Sequence, residues 1–404
     1  MGTDFFEQIR DLFRFKRDVY LDHNATTYVS KRVRSVMKQV LKYYWGNPSS
    51  AYHRGKMSAR IIEKARGQVA YAIHAHSHEI YFAGCATESN NAVLKSLSHH
   101  FYPGKRKIIS TPVEHPSIMN TLEFLQSQGI VVQYCPVDRQ GRVVIHELEK
   151  FIDEETFLIC CMVANNEIGT IQPVKEISTL AKSHNVLVLS DCVQAFGKVP
   201  IDVKEMGVDY ATFSAHKLYG PKGVGALYAK ISSPLEPFIH GGHQEEGMRA
   251  GTESVHNIAG FGAACKDVDK LLSNYEKTKT LKEHFIKQLK NIKPDIIINS
   301  PEDGCLPNTI NVTFPDLNSG ELMMMLDYYG IAVSSGSACS THLNKPSHVL
   351  KAIGLSDKAA GETIRISFGK DTSHRDIKYT VKVIADYLKS EVSQPATTHT
   401  SKRR

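Results

Sequence analysis

Ser214-Ala215-His216-Lys217-Leu218-Tyr219-Gly220-Pro221 lies between two short apolar runs, Val208 to Phe213 and Val224 to Tyr228, that read as buried strands. A lysine between buried strands is costly: its ammonium must reach water or meet a partner that changes its protonation state. Ser214 and His216 can donate to an anion, and Gly220, Pro221, Gly223 and Gly225 are expected to bend the backbone tightly beneath it. A desolvated amine beside phosphate-binding donors is what a Schiff base with pyridoxal 5′-phosphate (PLP) requires. The competing reading is a surface lysine in a Gly/Pro turn, where most lysines sit. The rest of the chain decides between them.

Outward from this stretch, apolar runs alternate with helical segments. Glu79 to Ala83, Lys107 to Thr111, Ile130 to Cys135, Thr156 to Ala164 and Val186 to Leu189 read as strands, the last two buried on both faces. Buried parallel strands joined by helices place their C-terminal ends on one edge, where open α/β sheets bind ligands. His115, Asn166, Asp191, Gln194 and Lys217 each lie just beyond such an end, so residues distant in the chain are expected in one crevice. Asp191 closely follows four apolar residues, where an unpaired carboxylate is costly. It reads either as a helix N-cap or as the partner of a protonated pyridine nitrogen. Gly84-Cys85-Ala86-Thr87 opens a helix after a strand, and the free N–H groups there suit either a phosphate or a simple cap.

A chain of 404 residues is long enough for two domains. Lys and Arg are dispersed and the formal net charge is only +7, which leaves direct nucleic-acid binding unsupported while allowing an acidic partner. No apolar run approaches the ~18 residues of a membrane span, and no cleavable signal peptide is apparent. Eight cysteines occur without a Cys-x-x-Cys pair, several of them in apolar runs (Cys160, Cys161, Cys192). That usage suits a reducing compartment, and a cytoplasmic location is expected. No metal ligand set is expected.

The segment Thr3 to Lys16 carries Phe5, Ile9, Leu12 and Phe13 at helical spacing. Asp4, Glu7 and Asp11 argue against a membrane-surface helix and for one packed on the main body. Ile258 to about Leu289 reads as a long helical connector to a second domain. Beyond it, Asn308 to Phe314, Ile331 to Val333 and Ile364 to Gly369 read as strands. The last carries Arg365 among apolar neighbours, where an arginine needs a carboxylate from protein or substrate. In the Gly/Ser-rich stretch from Ser334 to Pro346, Cys339 has the small polar surroundings that give a thiol access, although chance exposure would look the same. The polar tail after about Val392 reads as disordered.

Several longer motifs occur in order from about Tyr20 to Leu388. They are Leu21-Asp22-His23-Asn24-Ala25-Thr26-Thr27, Gly46-Asn47-Pro48-Ser49-Ser50, Ala86-Thr87-Glu88-Ser89-Asn90-Asn91 and the run from Ala164 to Pro173. The lysine stretch follows, then Arg249-Ala250-Gly251-Thr252-Glu253, Ser334-Ser335-Gly336-Ser337-Ala338-Cys339-Ser340 and Pro346-Ser347-His348-Val349-Leu350. Together they resemble the PLP-dependent cysteine desulfurases of the NifS/IscS type, within the class V aminotransferases. The resemblance implies an α/β protein of PLP fold type I that forms a homodimer. Its large domain (19–260) would hold a mostly parallel sheet flanked by helices. A smaller α+β domain (261–392), with the N-terminal segment added, would carry the mobile cysteine loop. Residues 1–18 would be a helical extension and 393–404 a tail.

The same resemblance assigns roles. Lys217 would hold the cofactor covalently, Asp191 would pair with its ring nitrogen, Gln194 with its phenolate, and His115 would stack on the ring and move protons. Ala86, Thr87, Ser214 and His216 would surround the phosphate, with Thr252 from the other subunit. Asn166, itself also a cofactor contact, would bind substrate with Arg365 and Asn47. Cys339 would be the nucleophile of a long loop. The implied reaction converts L-cysteine to L-alanine and passes sulfur, as a persulfide on Cys339, to acceptor proteins for iron–sulfur cluster assembly or tRNA thiolation. The alternatives are a selenocysteine lyase or an ordinary class V aminotransferase, the latter having no use for the thiol. Cys85 departs from the family pattern, standing where glycine is common. If that position needs a positive φ or close approach to phosphate, cysteine would strain the loop.

Overall fold

The computed structural model describes residues 17–335 and 346–392. The amphipathic segment before Arg17, the stretch that contains Cys339 and the tail from residue 393 lie outside the described residues. In chain order the elements begin with β1 (Val19–Tyr20), α1 (Lys31–Tyr43), α2 (His53–Ala72), β2 (Ile80–Ala83), α3 (Ala86–Phe101), β3 (Lys107–Ser110), α4 (Pro116–Ser127) and β4 (Val131–Tyr134). They continue with α5 (Ile145–Phe151), β5 (Thr156–Cys160), α6 (Val174–Ser183), β6 (Leu187–Asp191), α7 (Val203–Met206), β7 (Tyr210–Ser214), β8 (Gly225–Ala229), α8 (Val255–Cys265), α9 (Val268–Leu272) and α10 (Tyr275–Ile292). The C-terminal part adds β9 (Ile297–Ile298), β10 (Thr309–Thr313), α11 (Ser319–Tyr328), β11 (Ile331–Ala332), α12 (His348–Ala352), α13 (Asp357–Gly361), β12 (Thr363–Ser367) and α14 (His374–Val392).

The main sheet runs β2-β8-β7-β6-β5-β3-β4. Only β8 is antiparallel to its neighbours, so the C-terminal ends of the other six strands share one edge. Alternation along each strand feeds two apolar layers. In β5, Leu158 and Cys160 join Leu94 and Leu97 of α3 and Leu122 of α4 on one face. Ile159 and Cys161 face the other way, into a core shared with Val69 of α2, Ile177 of α6 and Phe261 of α8. Each large side chain buried there contributes roughly 1.5–3 kcal/mol, which ordinary chain entropy largely offsets.

A second core gathers Phe285 and Leu289 of α10, Ile310 and Val312 of β10, Ile364 and Ile366 of β12 and Ile384 of α14. Its antiparallel sheet has the order β12-β10-β9, and β1 pairs in parallel with β11 beside it, bringing Val19 and Leu21 into the same core. The expected long connector is three helices. The first of them, α8, packs on α1 and α2, and Phe261, Cys265 and Val268 still belong to the first core. The chain therefore changes core between Val268 and Leu281, later than residue 260. Apolar residues recur on both sides of that change, at Val268, Leu271, Leu272 and Tyr275 and again from Leu281, and their spacing does not say which core buries them. Among the described residues no helix is long and apolar enough to cross a membrane.

Candidate active site

Lys217 ends a single 3-10 turn, Ala215–Lys217, directly after β7. The return to β8 bends at the expected Gly223, left-handed at φ 78°, and at one residue besides. The left-handed residue beside the lysine is Tyr219, at φ 60°, and Gly220 is not left-handed. Tyr219 is held there from both ends: its N–H donates to Thr27 Oγ1 at 2.8 Å, and its Oη accepts the Lys370 N–H at 2.7 Å. Gly220 is required for space instead, since a Cβ would lie 2.8 Å from the Ala215 carbonyl oxygen. At Gly225 a Cβ would lie 2.7 Å from the Cys85 carbonyl carbon and 2.9 Å from the Ala86 nitrogen. The start of α3 thus rests on the start of β8, beside Ser214, which pairs with Gly225. Cys85 has φ −172° and ψ 171°, extended backbone that any residue adopts, so it does not strain the loop.

The half-buried Lys217 amine donates to the Asn24 and Ala25 carbonyls, the latter at 2.7 Å. Asp191 closes β6 at the same edge. Its Oδ2 accepts from Asn90 Nδ2 at 3.1 Å and its Oδ1 from the Val193 N–H at 2.9 Å. His115 caps α4: its Nδ1 accepts the Ser117 N–H at 3.1 Å, which leaves the ring proton of the neutral form on Nε2. Burial lowers the His115 pKa; Asp191 pulls it up, while Lys217 and His348 push it down. Asn90 Nδ2 donates both to Asp191 Oδ2 and to Ser117 Oγ, which meets His115 Nδ1 at 2.9 Å. Lys217 and Gln194, three residues past Asp191, both donate to the Asn24 carbonyl, so His115, Asp191 and Lys217 share one crevice. Glu114, the residue before, is buried, and burial lifts its carboxyl to about 7. His216 meets Thr26 Oγ1 at 3.1 Å, and burial, with Lys217 next in weight, lowers it to about 4. It is therefore a neutral donor near pH 7.

Arg365 and Asn166 meet at the same edge, but not as two free groups. Arg365 is only 2% exposed; its Nη2 donates to Asp22 Oδ1 at 2.8 Å and its Nη1 to the Asn166 carbonyl at 3.1 Å. Its Nε has no hydrogen-bond partner among the described residues. The carboxylate that the sequence demanded for Arg365 is thus supplied by the protein, and sequence reading had given Asp22 no role. Asn24 was likewise missed. Its Nδ2 donates to Thr309 Oγ1 at 2.8 Å and its Oδ1 accepts from Asn308 Nδ2 at 3.1 Å, joining the two cores. Gln194 donates from Nε2 to the Asn24 carbonyl at 2.9 Å.

Two expected contributors are not joined to this crevice by the hydrogen bonds of the described residues. Asn47 is exposed in the turn before α2, its Oδ1 accepting the Ser49 N–H at 2.9 Å. Thr252 is exposed next to Glu253, which lines a cleft of about 760 Å³ with Pro48, Ser49, Arg66 and Gln244. No hydrogen bond among the described residues links Asn47 or Thr252 to Lys217. Cys339 lies outside the described residues. Thr87 is exposed in the first turn of α3, and Ala86 is buried under it.

These groups fit PLP. A lysine amine, a buried carboxylate and an amide N–H donor share one crevice. Cys85 gives α3 no side-chain cap, so the first-turn N–H groups of this 16-residue helix are left for an anion. Gly225 supplies the close backbone approach beneath them.

Residues 19–380 match the family model described as aminotransferase class-V. A cysteine desulfurase IscS of Dictyoglomus turgidum is 42% identical over 91% of this chain and 94% of its own. Among solved structures, a NifS-like protein superposes with a TM-score of 0.88 at 40% identity, covering 93% of this chain and 100% of that one. Another, described as SspA in complex with cysteine, gives a TM-score of 0.77 at 35% identity over 87% and 98% of the two chains. With the sheet order, the lysine turn and the strand-end carboxylate already in place, these likenesses mean that the chain belongs to the class V aminotransferase family, among its PLP-dependent cysteine desulfurases of the NifS/IscS type.

Proposed function

We propose that this protein is a homodimeric, PLP-dependent cysteine desulfurase that converts L-cysteine to L-alanine and delivers the sulfur to an acceptor protein. The observation that carries the reading is the meeting of Lys217, Asp191 and His115 at one sheet edge. Asp191 would hold the proton of the ring nitrogen and Gln194 would bond the phenolate. Ser214, His216 and the first turn of α3 would take the phosphate. When bound, the cofactor supplies an electron sink that acidifies the substrate Cα–H. Lys217 moves that proton, and His115, kept neutral by burial, accepts one from the incoming amine. Arg365, fixed by Asp22, turns toward the substrate carboxylate with Asn166.

The Cys339 thiolate attacks the substrate sulfur. An S–S bond forms, the Cβ–S bond breaks with its electron pair left on carbon, and protonation of that carbon yields alanine. The persulfide on Cys339 is then available to an acceptor for iron–sulfur cluster assembly or tRNA thiolation. Thr252 and Asn47, both exposed, would be offered to the partner subunit's crevice. The thiols at Cys135, Cys160, Cys161, Cys192 and Cys265 are buried and unpaired, which suits a reducing, cytoplasmic setting.

The test is reconstitution with PLP followed by L-cysteine, measuring alanine and, with a thiol reductant, sulfide. Equal amounts of both are expected. Cys339→Ala should keep the coloured cofactor and lose sulfide release by ~10³-fold; undiminished sulfide would remove Cys339 from the reaction.

A further inference from the structure

Lys198 is a half-buried lysine for which the reaction above has no use. It lies four residues beyond Gln194, and its Nζ donates to Gln194 Oε1 at 2.7 Å and to Asn24 Oδ1 at 3.1 Å. Both acceptors are fixed as oxygens by their other bonds. Gln194 Nε2 donates to the Asn24 carbonyl, which can only accept. Asn24 Nδ2 donates to Thr309 Oγ1 and, at 3.2 Å, to the Asn166 carbonyl. The Gln194 amide is therefore gripped at both ends. One of its two N–H bonds is used on Asn24, and its oxygen is held on Lys198.

We propose that Lys198 is a positioning residue that locks the Gln194 amide with its N–H, and not its carbonyl, turned to the cofactor's phenolate oxygen. The inference rests on the reading of Gln194 given under the proposed function. Without Lys198, the amide loses the donor that keeps its oxygen on the protein side, and a flipped amide would set a carbonyl lone pair against a phenolate. Burial, then the cations Lys217 and Arg365, hold the Lys198 amine well below the ordinary lysine range. The geometry tolerates this, because a neutral amine still carries an N–H for each of the two oxygens. Lysine also serves here as a donor near two other cations without requiring a permanent third charge, which arginine would impose.

The test uses PLP-reconstituted protein and two readouts besides turnover: the visible absorption maximum of the bound cofactor and its dissociation constant by equilibrium dialysis. Lys198→Met should move the absorption maximum in the same direction as Gln194→Ala and weaken PLP binding about tenfold, or ~1.4 kcal/mol. In Gln194→Ala protein, adding Lys198→Met should change neither readout further. Gln194→Glu keeps an oxygen for Lys198 but loses the N–H that meets the Asn24 carbonyl, and should shift the band as Gln194→Ala does. If the methionine variant does not fold, Lys198→Gln, which can still give an N–H to the Gln194 oxygen, decides the matter by holding the wild-type band, and a shifted band in that variant would overturn the proposal. A wild-type band in Lys198→Met or in Gln194→Glu, or additive effects in the double variant, would overturn the proposal while leaving the desulfurase reading standing. Wild-type protein that binds no PLP at all would overturn both.

Discussion

The crevice at the strand ends and the cleft beside Gln244 are organised in opposite ways. In the crevice, Asn24, Gln194, Lys198, Asn308 and Thr309 come from distant parts of one chain and bond to one another, so the fold itself orients them. In the cleft, the backbone is forced and one ion pair holds it. Glu245 and Glu246 are both left-handed, at φ 47° and 58°. The Glu245 carboxylate grips Arg66 through two bonds of 2.7 and 2.9 Å and accepts the Phe82 N–H at 2.7 Å. The cleft is lined by polar groups, Ser49, Gln244 and Glu246 among them, and Thr252 is exposed beside its Glu253. On the homodimeric reading proposed above, the crevice would hold the ring and its nitrogen, and this exposed surface would serve the partner's crevice.

The largest effects should therefore fall on the crevice. Lys217→Ala is expected to lower alanine formation ~10³-fold or more and to remove the covalent chromophore. Thr252→Val should only weaken PLP binding, roughly tenfold for one charge-assisted hydrogen bond. Mixing the two variants sharpens the contrast. If Thr252 serves the partner, a mixed dimer contains one site with Lys217 and Thr252 both intact, and wild-type PLP affinity should return at that site. No recovery after subunit exchange would mean that Thr252 acts within its own chain or not at all, and the division drawn here would fail.

The second effect concerns how dry the crevice is. Burial raises the Glu114 carboxyl to about 7, against an unfolded value near 4.5. The folded state then binds the proton more tightly than the unfolded state, so this contribution is fully present below pH 4.5 and is lost as pH rises through 7. Glu114→Gln removes it. Relative to wild type, the variant should gain on the order of 3 kcal/mol in unfolding free energy between pH 4.5 and 8, measured by urea titration of apo-protein. A constant difference across that range would show that water reaches Glu114. The crevice would then owe its order to hydrogen bonds alone.

Much of this architecture is readable in the sequence, for identifiable reasons. The alternation of apolar runs marks β2 to β8, and the polar residues at their ends mark the crevice, because buried strands leave few other places for His115, Asp191 and Lys217. What escaped was the provenance of partners. Arg365 was read as needing a carboxylate, but nothing in one sequence says that Asp22, over 300 residues earlier, supplies it. Lys198 looks like any lysine after Gly197; only the fold shows it against Gln194. The turn after Lys217 illustrates a different limit. Four residues, Gly220, Pro221, Gly223 and Gly225, were expected to bend the chain, and Gly223 does so at φ 78°, but Tyr219 is left-handed as well because Thr27 and Lys370 bond to it, and Gly220 is there for clearance. Composition reveals that a bend is needed, not every residue that carries it.

The smallest expected effect probes the cleft's backbone. A left-handed conformation costs a residue with a side chain ~1–2 kcal/mol, whereas glycine adopts it freely but gives up ~0.5–1 kcal/mol through its looser unfolded state. Glu246 is exposed, so nothing else should enter the balance, and Glu246→Gly is expected to stabilise the protein by about 0.5 kcal/mol. The same change at Glu245 must go the other way. It relieves similar strain but strips Arg66 of a nearly desolvated partner, a loss of ~3 kcal/mol or more. The pair of opposite signs, read by urea unfolding of the two variants, is the informative result, because it separates the strained backbone from the clamp that maintains it. If Glu246→Gly were neutral or destabilising, the turn would be relaxed as it stands, and the cleft would owe its shape to whatever surface later covers it. If the signs come out opposed, the cleft is shaped in advance by its own ion pair, and the partner subunit of the proposed homodimer would meet a surface already formed.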